Sequence, residues 1–146
     1  MQLRNFEKQD ALILSEKIYG SLTIEQIENM ICLWNTRQYD GKYFDMLAIE
    51  DSGEIVGMLS LYLLKDKTMH IGPVIFPEFR RKGFAKAAMT MAFDVAKSLE
   101  CDTISQQIRL DNVASIALHT SLGFEMVGTP FFNAKGNEVC IYEKVL

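Results

Sequence analysis

The stretch that decides the fold is Pro73-Val74-Ile75-Phe76-Pro77-Glu78-Phe79-Arg80-Arg81-Lys82-Gly83-Phe84-Ala85-Lys86. Its first part is apolar and β-branched, as a buried strand requires, and two prolines bracket the run. Its second part carries four cations in the seven residues 80–86. A helical pattern follows Gly83 over residues 85–99, with Ala88, Met91, Ala92, Val95 and Leu99 as its apolar stripe. Cations at a helix start oppose the positive end of the helix dipole unless an anion joins them. A bound phosphate resolves the conflict: backbone N–H groups already point there, and Gly83 lets the backbone approach without a Cβ. The stretch is neither a P-loop nor the dinucleotide-binding glycine fingerprint. It holds Arg-x-x-Gly-x-Ala at Arg80, Gly83 and Ala85, directly after a strand.

Upstream of this junction the pattern is β, with strands expected over residues 46–49, 54–64 and 68–76. The turn signals Asp51-Ser52-Gly53 and Lys65-Asp66-Lys67 separate them into an antiparallel meander. Downstream, a strand over 103–110 makes residues 68–110 a strand–helix–strand unit of parallel type. Asp111 or Asn112 then caps a short helix that Gly123 terminates. Two strands, 124–131 and 138–145, flank a turn at 133–136. Near the N-terminus, a strand over 1–5 precedes a helix capped by Asp10, which runs to about Tyr19 and ends at Gly20. Thr23 and Gln26 have capping-box spacing at the head of a second helix, whose apolar face is Ile24, Ile27, Met30, Ile31 and Trp34. The order βααβββαβαββ describes an α/β fold in which helices flank one mixed, mostly antiparallel central sheet. One domain spanning residues 1–146 is expected.

Composition narrows the function classes. With 146 residues, 49% hydrophobic and 23% charged, the chain can bury roughly 68–70% of its unfolded surface, so global disorder is excluded. The longest strongly apolar stretch, residues 57–64, falls far short of the ~20 residues of a membrane span. The first ten residues contain no signal-peptide core, so a cytoplasmic location is expected, without membrane contact. A net charge of -4 opposes general binding to nucleic acid, whose phosphates repel it. Cys32, Cys101 and Cys140 have no metal-ligand or disulfide spacing, so all three read as reduced, mostly packing residues, and no metal site is expected.

The phosphate-loop pattern at a strand-to-helix junction resembles the signature of the GNAT superfamily of acyl-CoA-dependent N-acetyltransferases. A second stretch, from Asn112 through Ser115, Ile116, Leu118 and His119 to Gly123-Phe124, is similar to that family's downstream motif, except that His119 stands where the family carries a tyrosine. The resemblance implies acetyl-CoA as co-substrate, with its pantetheine arm along the backbone of Pro73, Val74 and Ile75. It also implies that the pyrophosphate sits at the loop of Arg80, Arg81, Lys82, Gly83, Phe84, Ala85 and Lys86, and that Asn112 contacts the arm as well as capping its helix. The implied reaction is direct attack by a primary amine of a small molecule or peptide on the thioester, with a strand N–H near Val74 polarising the carbonyl oxygen. Homodimerisation is a further expectation from the resemblance.

A proton acceptor is needed for the amine, and a donor assists the leaving sulfur. The position of a common family glutamate is Gln107, which cannot act as a base. His119 is the candidate acid, since its reference pKa of about 6.5 makes both protonation states accessible. His70 is a second candidate, weighed against a plain cross-strand histidine. Glu50 and Glu54 read as solvated turn carboxylates. Tyr19, Trp34, Tyr39, Tyr43, Phe131 and Phe132 are candidates for the acceptor pocket, against their reading as core. The competing description is a CoA-binding sensor or scaffold with weak or no turnover, prompted by Gln107 and His119.

Overall fold

The computed structural model describes all 146 residues. In chain order the elements are β1 (Gln2–Asn5), α1 (Ala11–Lys17), α2 (Ile24–Trp34), β2 (Gln38–Tyr39), β3 (Lys42–Asp51), β4 (Glu54–Lys65) and β5 (Thr68–Ile75), followed by α3 (Phe84–Ser98), β6 (Thr103–Arg109), α4 (Val113–Ser121), β7 (Glu125–Phe132) and β8 (Glu138–Val145). The strands form one sheet in the order β1-β3-β4-β5-β6-β8-β7, with the short β2 beside β3. Only β5 and β6 are parallel. A parallel pair needs a crossover, and α3 provides it.

Local chemistry accounts for most boundaries. Thr23 Oγ1 accepts from the Gln26 amide at 3.1 Å while Gln26 Oε1 accepts from the Thr23 amide at 2.9 Å, so the capping box opens α2. Asn112 caps α4, accepting from the Ser115 amide at 3.1 Å. Asp10 does not cap α1. Its carboxylate accepts from the Glu7 amide at 2.7 Å and from Arg4 Nη1 at 2.8 Å, which fixes a short 3-10 turn at Lys8–Asp10, and α1 stops at Lys17 rather than near Tyr19. Strand β3 begins four residues earlier than residue 46 because its polar Asp45 is compensated on burial. Asn5 donates to Asp45 at 2.9 Å and the Tyr43 hydroxyl at 3.3 Å, while burial raises the Asp45 pKa.

The sheet separates two apolar layers. On one face Leu59, Leu61, Met69 and Ile71 pack with Ala88, Met89, Ala92, Phe93 and Ala96 of α3. On the other, Ala48, Met58 and Phe76 meet Leu14 of α1 and Ile27 and Ile31 of α2. Full burial of a Leu, Ile or Met side chain contributes about 1.5–3 kcal/mol. The buried stripe of α3 is rotated from the expected one: Met91 and Val95 are half-buried and Leu99 is exposed. Alanines at 88, 92 and 96, one turn apart, let the helix lie close to the sheet, which turns Met89 and Phe93 inward. Cys101 and Cys140 are buried packing residues, whereas Cys32 is exposed on α2. No helix is long and apolar enough to cross a membrane.

One feature of the sheet positions the site. Although β5 has eight residues and β6 has seven, their parallel register holds only at Thr68 with Thr103 and Met69 with Ile104. From His70 onward the two strands part. β5 remains paired with β4 as far as Gly57 and Ile75, so its opposite edge is left without a strand partner. Backbone polar groups in such a place require another partner.

Candidate functional site

The split between β5 and β6 opens into a cavity of about 730 Å³. Pro73, Val74 and Ile75 form one wall, and Asn112, Ser115, Leu118 and His119 of the α4 segment face them. Arg80, Arg81, Gly83, Phe84, Ala85 and Lys86 line its mouth. The structure thus brings together every residue expected at the cofactor except Lys82, which lies outside the lining with Nζ 5.7 Å from the centre of the Phe79 ring.

The mouth is built for an anion. Gly83 is the N-cap of α3 at φ 82°, and no side chain caps the helix. The first intrahelical bond runs from the Ala87 amide to the Gly83 carbonyl at 3.1 Å, which leaves the amides of Phe84, Ala85 and Lys86 without helical partners. Arg81 holds φ at 62°, a left-handed conformation that costs a non-glycine residue about 1–2 kcal/mol. The first turn contains Lys86 and no acid, the reverse of what the helix dipole prefers. An anion at this point satisfies the free amides and offsets the misplaced cations together. Arg80 Nε also donates to the Ile75 carbonyl at 3.0 Å, tying the loop to the strand edge.

At the vertex of the split, the Gln106 side-chain amide donates to the Ile71 carbonyl in place of the missing strand. Its Nε2 also lies 3.2 Å from His119 Nε2, and His119 Nδ1 is 2.7 Å from the Ser115 carbonyl. A carbonyl can only accept, so Nδ1 carries the ring proton and Nε2 accepts from Gln106. His119 is 4% exposed, its ring stands edge-on to Phe124, and burial holds its pKa below the ordinary histidine value. These contacts fix the Gln106 amide so that Oε1 is the one buried side-chain polar atom without a partner. An orphaned acceptor costs about 1–3 kcal/mol. An unpaired strand edge, an orphaned acceptor at the vertex and an uncapped helix at the mouth fit an extended, N–H-bearing arm ending in a phosphate, which is the chemistry of acyl-CoA.

The opposite face of the sheet carries the second histidine. His70 stacks on Tyr62, ring centres 4.5 Å apart, and burial pushes its pKa down to about 4, partly offset by a hydrogen bond to the Ser105 backbone. Ser60 and His70 close over Gly72, where a Cβ would lie 2.8 Å from Ser60 Oγ and 3.1 Å from His70 Nε2, so glycine is what lets the imidazole sit there. Gln107 is exposed and accepts from Asn133 Nδ2 at 3.0 Å. Glu50 is not a free turn carboxylate, because Arg4 Nε donates to it at 2.9 Å and holds its pKa below the usual range. Glu54 is exposed at the start of β4. Among the aromatics, Tyr19 and Trp34 pack with Phe6 in the core, and Phe131 and Phe132 lie exposed on β7. Tyr39 and Tyr43 line a second cavity with Phe44 and Tyr62. Gln106, Phe44 and Tyr62 were not expected at a site. Strand register, which sequence alone does not fix, is what brings Tyr62 beside His70 and Phe44 beside Tyr62.

The profile of the Acetyltransferase (GNAT) family matches residues 12–124. A curated relative, the SPbeta prophage-derived uncharacterized N-acetyltransferase YokL of Bacillus subtilis (strain 168), is 28% identical over 142 residues, covering 88% of this chain and 77% of its own. The fold is similar to that of a chimera of Vibrio cholerae spermidine N-acetyltransferase SpeG and hSSAT, with a TM-score of 0.78 at 20% identity over 99% of this chain and 96% of the other. It is likewise similar to yncA of Salmonella typhimurium, a putative acetyltransferase with its cofactor acetyl-CoA, with a TM-score of 0.75 at 18% identity over 99% and 93% of the two chains.

Proposed function

Because the chain belongs to the acetyltransferase (GNAT) family, we propose from that premise that it transfers an acetyl group from acetyl-CoA to a primary amine of a small molecule or peptide, with the residues of the β5–β6 split in the roles that follow. The observation that carries this reading is the parting of β5 from β6 after Met69 and Ile104, which leaves the edge at Pro73, Val74 and Ile75 facing a cavity whose mouth is an uncapped helix.

Acetyl-CoA, when bound, supplies the activated acetyl thioester. The free amides of Phe84, Ala85 and Lys86, with the side chains of Arg80 and Arg81, hold the pyrophosphate. The backbone of Pro73, Val74 and Ile75 holds the arm as a neighbouring strand would, and the strand N–H near Val74 polarises the carbonyl oxygen. Gln106 Oε1 accepts from an N–H of the arm. His119, neutral with both ring nitrogens engaged, acts through Gln106 as a positioning residue. Donation from His119 to the sulfur would need a second ring proton, which burial opposes. On the other face His70 stays neutral above about pH 4, so it accepts a hydrogen bond from the incoming amine without repelling it.

The family assignment favours turnover over a sensor or scaffold role. Self-association belongs to the same proposal. β7 is an edge strand whose residues are all exposed, including Met126, Val127, Phe131 and Phe132, and a second copy would cover them. The test is thiol release from acetyl-CoA across polyamines, arylalkylamines, amino acids, aminoglycosides and peptide N-termini, with CoA binding read by thermal shift. Turnover on one class of amine supports the reading. Stabilisation by CoA with no turnover on any class returns weight to the sensor, and no stabilisation overturns the cofactor site.

A further inference from the structure

A second cavity, of about 400 Å³, lies on the sheet where the β2–β3 hairpin meets the end of β4. Tyr39, Phe44, Tyr62 and Leu64 supply its apolar lining, and Asp40 and Lys42 bring opposite charges to it. The Tyr39 and Phe44 rings are 6.4 Å apart and tilted by 55°. Tyr62 belongs both to this cavity and to the stack on His70.

Strand register joins the cavity to the split. Phe44 pairs with Tyr62 across β3 and β4, and Tyr62 pairs with His70 across β4 and β5. Directly opposed residues of antiparallel strands share a face, so the three side chains form one row that starts in the cavity and ends where β5 leaves β6. Adjacent strands are about 4.8 Å apart, which puts Phe44 roughly 10 Å from His70 along the row and Tyr62 at half that distance. At the end of the row Ser60 Oγ and His70 Nε2 lie so close over Gly72 that a Cβ there would be 2.8 and 3.1 Å from them.

We infer that this cavity is the acceptor subsite, and that the amine substrate carries an aromatic or branched aliphatic group two to four bonds from its primary nitrogen. The inference rests on the acetyl-transfer reading and names its substrate class. The apolar group lies against Tyr39, Phe44 and Tyr62, and the nitrogen reaches along the row to His70. A linear polyamine suits the cavity poorly. It would place a second ammonium in a mainly apolar space beside Lys42, whose charge cancels that of Asp40. An isolated ring instead loses only water on entering.

The test compares phenethylamine with spermidine and with methylamine, in kcat/KM for the wild-type protein and for Tyr39→Ala and Phe44→Ala. Tyr39 is 76% exposed, so its truncation leaves the fold intact even if Phe44→Ala unfolds. Titration of the CoA complex with phenethylamine, followed by tyrosine fluorescence, reads binding without turnover. The expected result is preference for phenethylamine, with KM or Kd for it raised at least about tenfold in Tyr39→Ala and kcat little changed, the scale of lost contact in an apolar pocket. Preference for spermidine, or a phenethylamine KM and Kd unmoved in both variants, overturns the subsite while leaving acetyl transfer in place. Loss of both turnover and CoA stabilisation in the wild-type protein overturns the acetyl-transfer reading and the subsite with it.

Discussion

Gly57→Ala tests the strand geometry at a point remote from every side chain proposed to bind ligand. Gly57 is buried in β4 opposite Ile75, at the end of the β5 edge that the cofactor arm uses. A Cβ there would meet the Val74 carbonyl oxygen at less than 3.0 Å, with Ile75 Cα at 3.0 Å. Both neighbours are backbone, so no rotamer change relieves the contact. The Val74 oxygen is the nearer of the two, so restoring the 3.4 Å at which ordinary contact begins means withdrawing β5 there by about 1 Å. A ~1 Å misplacement of reacting groups costs about 10²-fold, so the expected loss in kcat/KM for acetyl-CoA is on the order of 10²-fold. Overpacking of a filled site costs about 1–3 kcal/mol. For a chain of this size, a 2 kcal/mol loss lowers Tm by about 4–8 °C. Thermal unfolding and steady-state thiol release measure the two effects on one preparation. A variant with wild-type kcat/KM and a Tm within a degree of the parent refutes the close approach of β4 to β5 as a determinant of the site.

Four further perturbations separate binding from folding. Arg81→Gly relieves a left-handed backbone worth about 1–2 kcal/mol and removes a cation from the cavity mouth. It should therefore raise Tm while weakening CoA binding several-fold, and a parallel change in both would contradict the assigned role. Burial lowers the pKa of His70 to about 4 from 6.5, so between these values the unfolded chain binds the extra proton and stability rises with pH. The contribution, about 3 kcal/mol, is fully present above pH 6.5 and is lost as the pH falls towards 4. His119 acts in the same direction. Urea unfolding at pH 7 and at pH 4.5 checks this, and His70→Phe should flatten the difference. Gln106→Leu leaves the Ile71 carbonyl and His119 Nε2 without their donor, at about 1–3 kcal/mol for each buried group. His119→Gln keeps a polar partner for Gln106 and should retain CoA affinity better than His119→Phe. If His119→Phe instead loses kcat at unchanged affinity and shifts the acid limb of the pH profile, His119 is the acid.

The parts of this molecule that are local in sequence were legible there. Thr23 with Gln26, Gly83 and Gly123 mark helix ends through groups within a few residues, and Arg80 with Gly83 and Ala85 announces an anion loop because its cations contradict the helix dipole. Asp10 misled because a carboxylate before a helix reads as a cap, and only the fold brings Arg4 to it. The stripe of α3 was displaced because alanine contributes little to periodicity yet decides how closely a helix approaches a sheet. Gln106 gave no signal: on a strand, glutamine reads as a surface residue, and its place at the vertex exists only once β5 and β6 have parted. The row of Phe44, Tyr62 and His70 is likewise a product of register across three strands, set by the hairpins at Asp51-Ser52-Gly53 and Lys65-Asp66-Lys67.

Amide hydrogen exchange with and without acetyl-CoA tests the cofactor site most directly, because it reads the backbone groups on which that site rests. Slowed exchange is expected at the amides of Phe84, Ala85 and Lys86 and at Ile75, with β1 and α2 unchanged. Binding of acetyl-CoA that leaves the exchange of residues 75 and 84–86 as it was would place the cofactor elsewhere and contradict the assignment of the β5–β6 split.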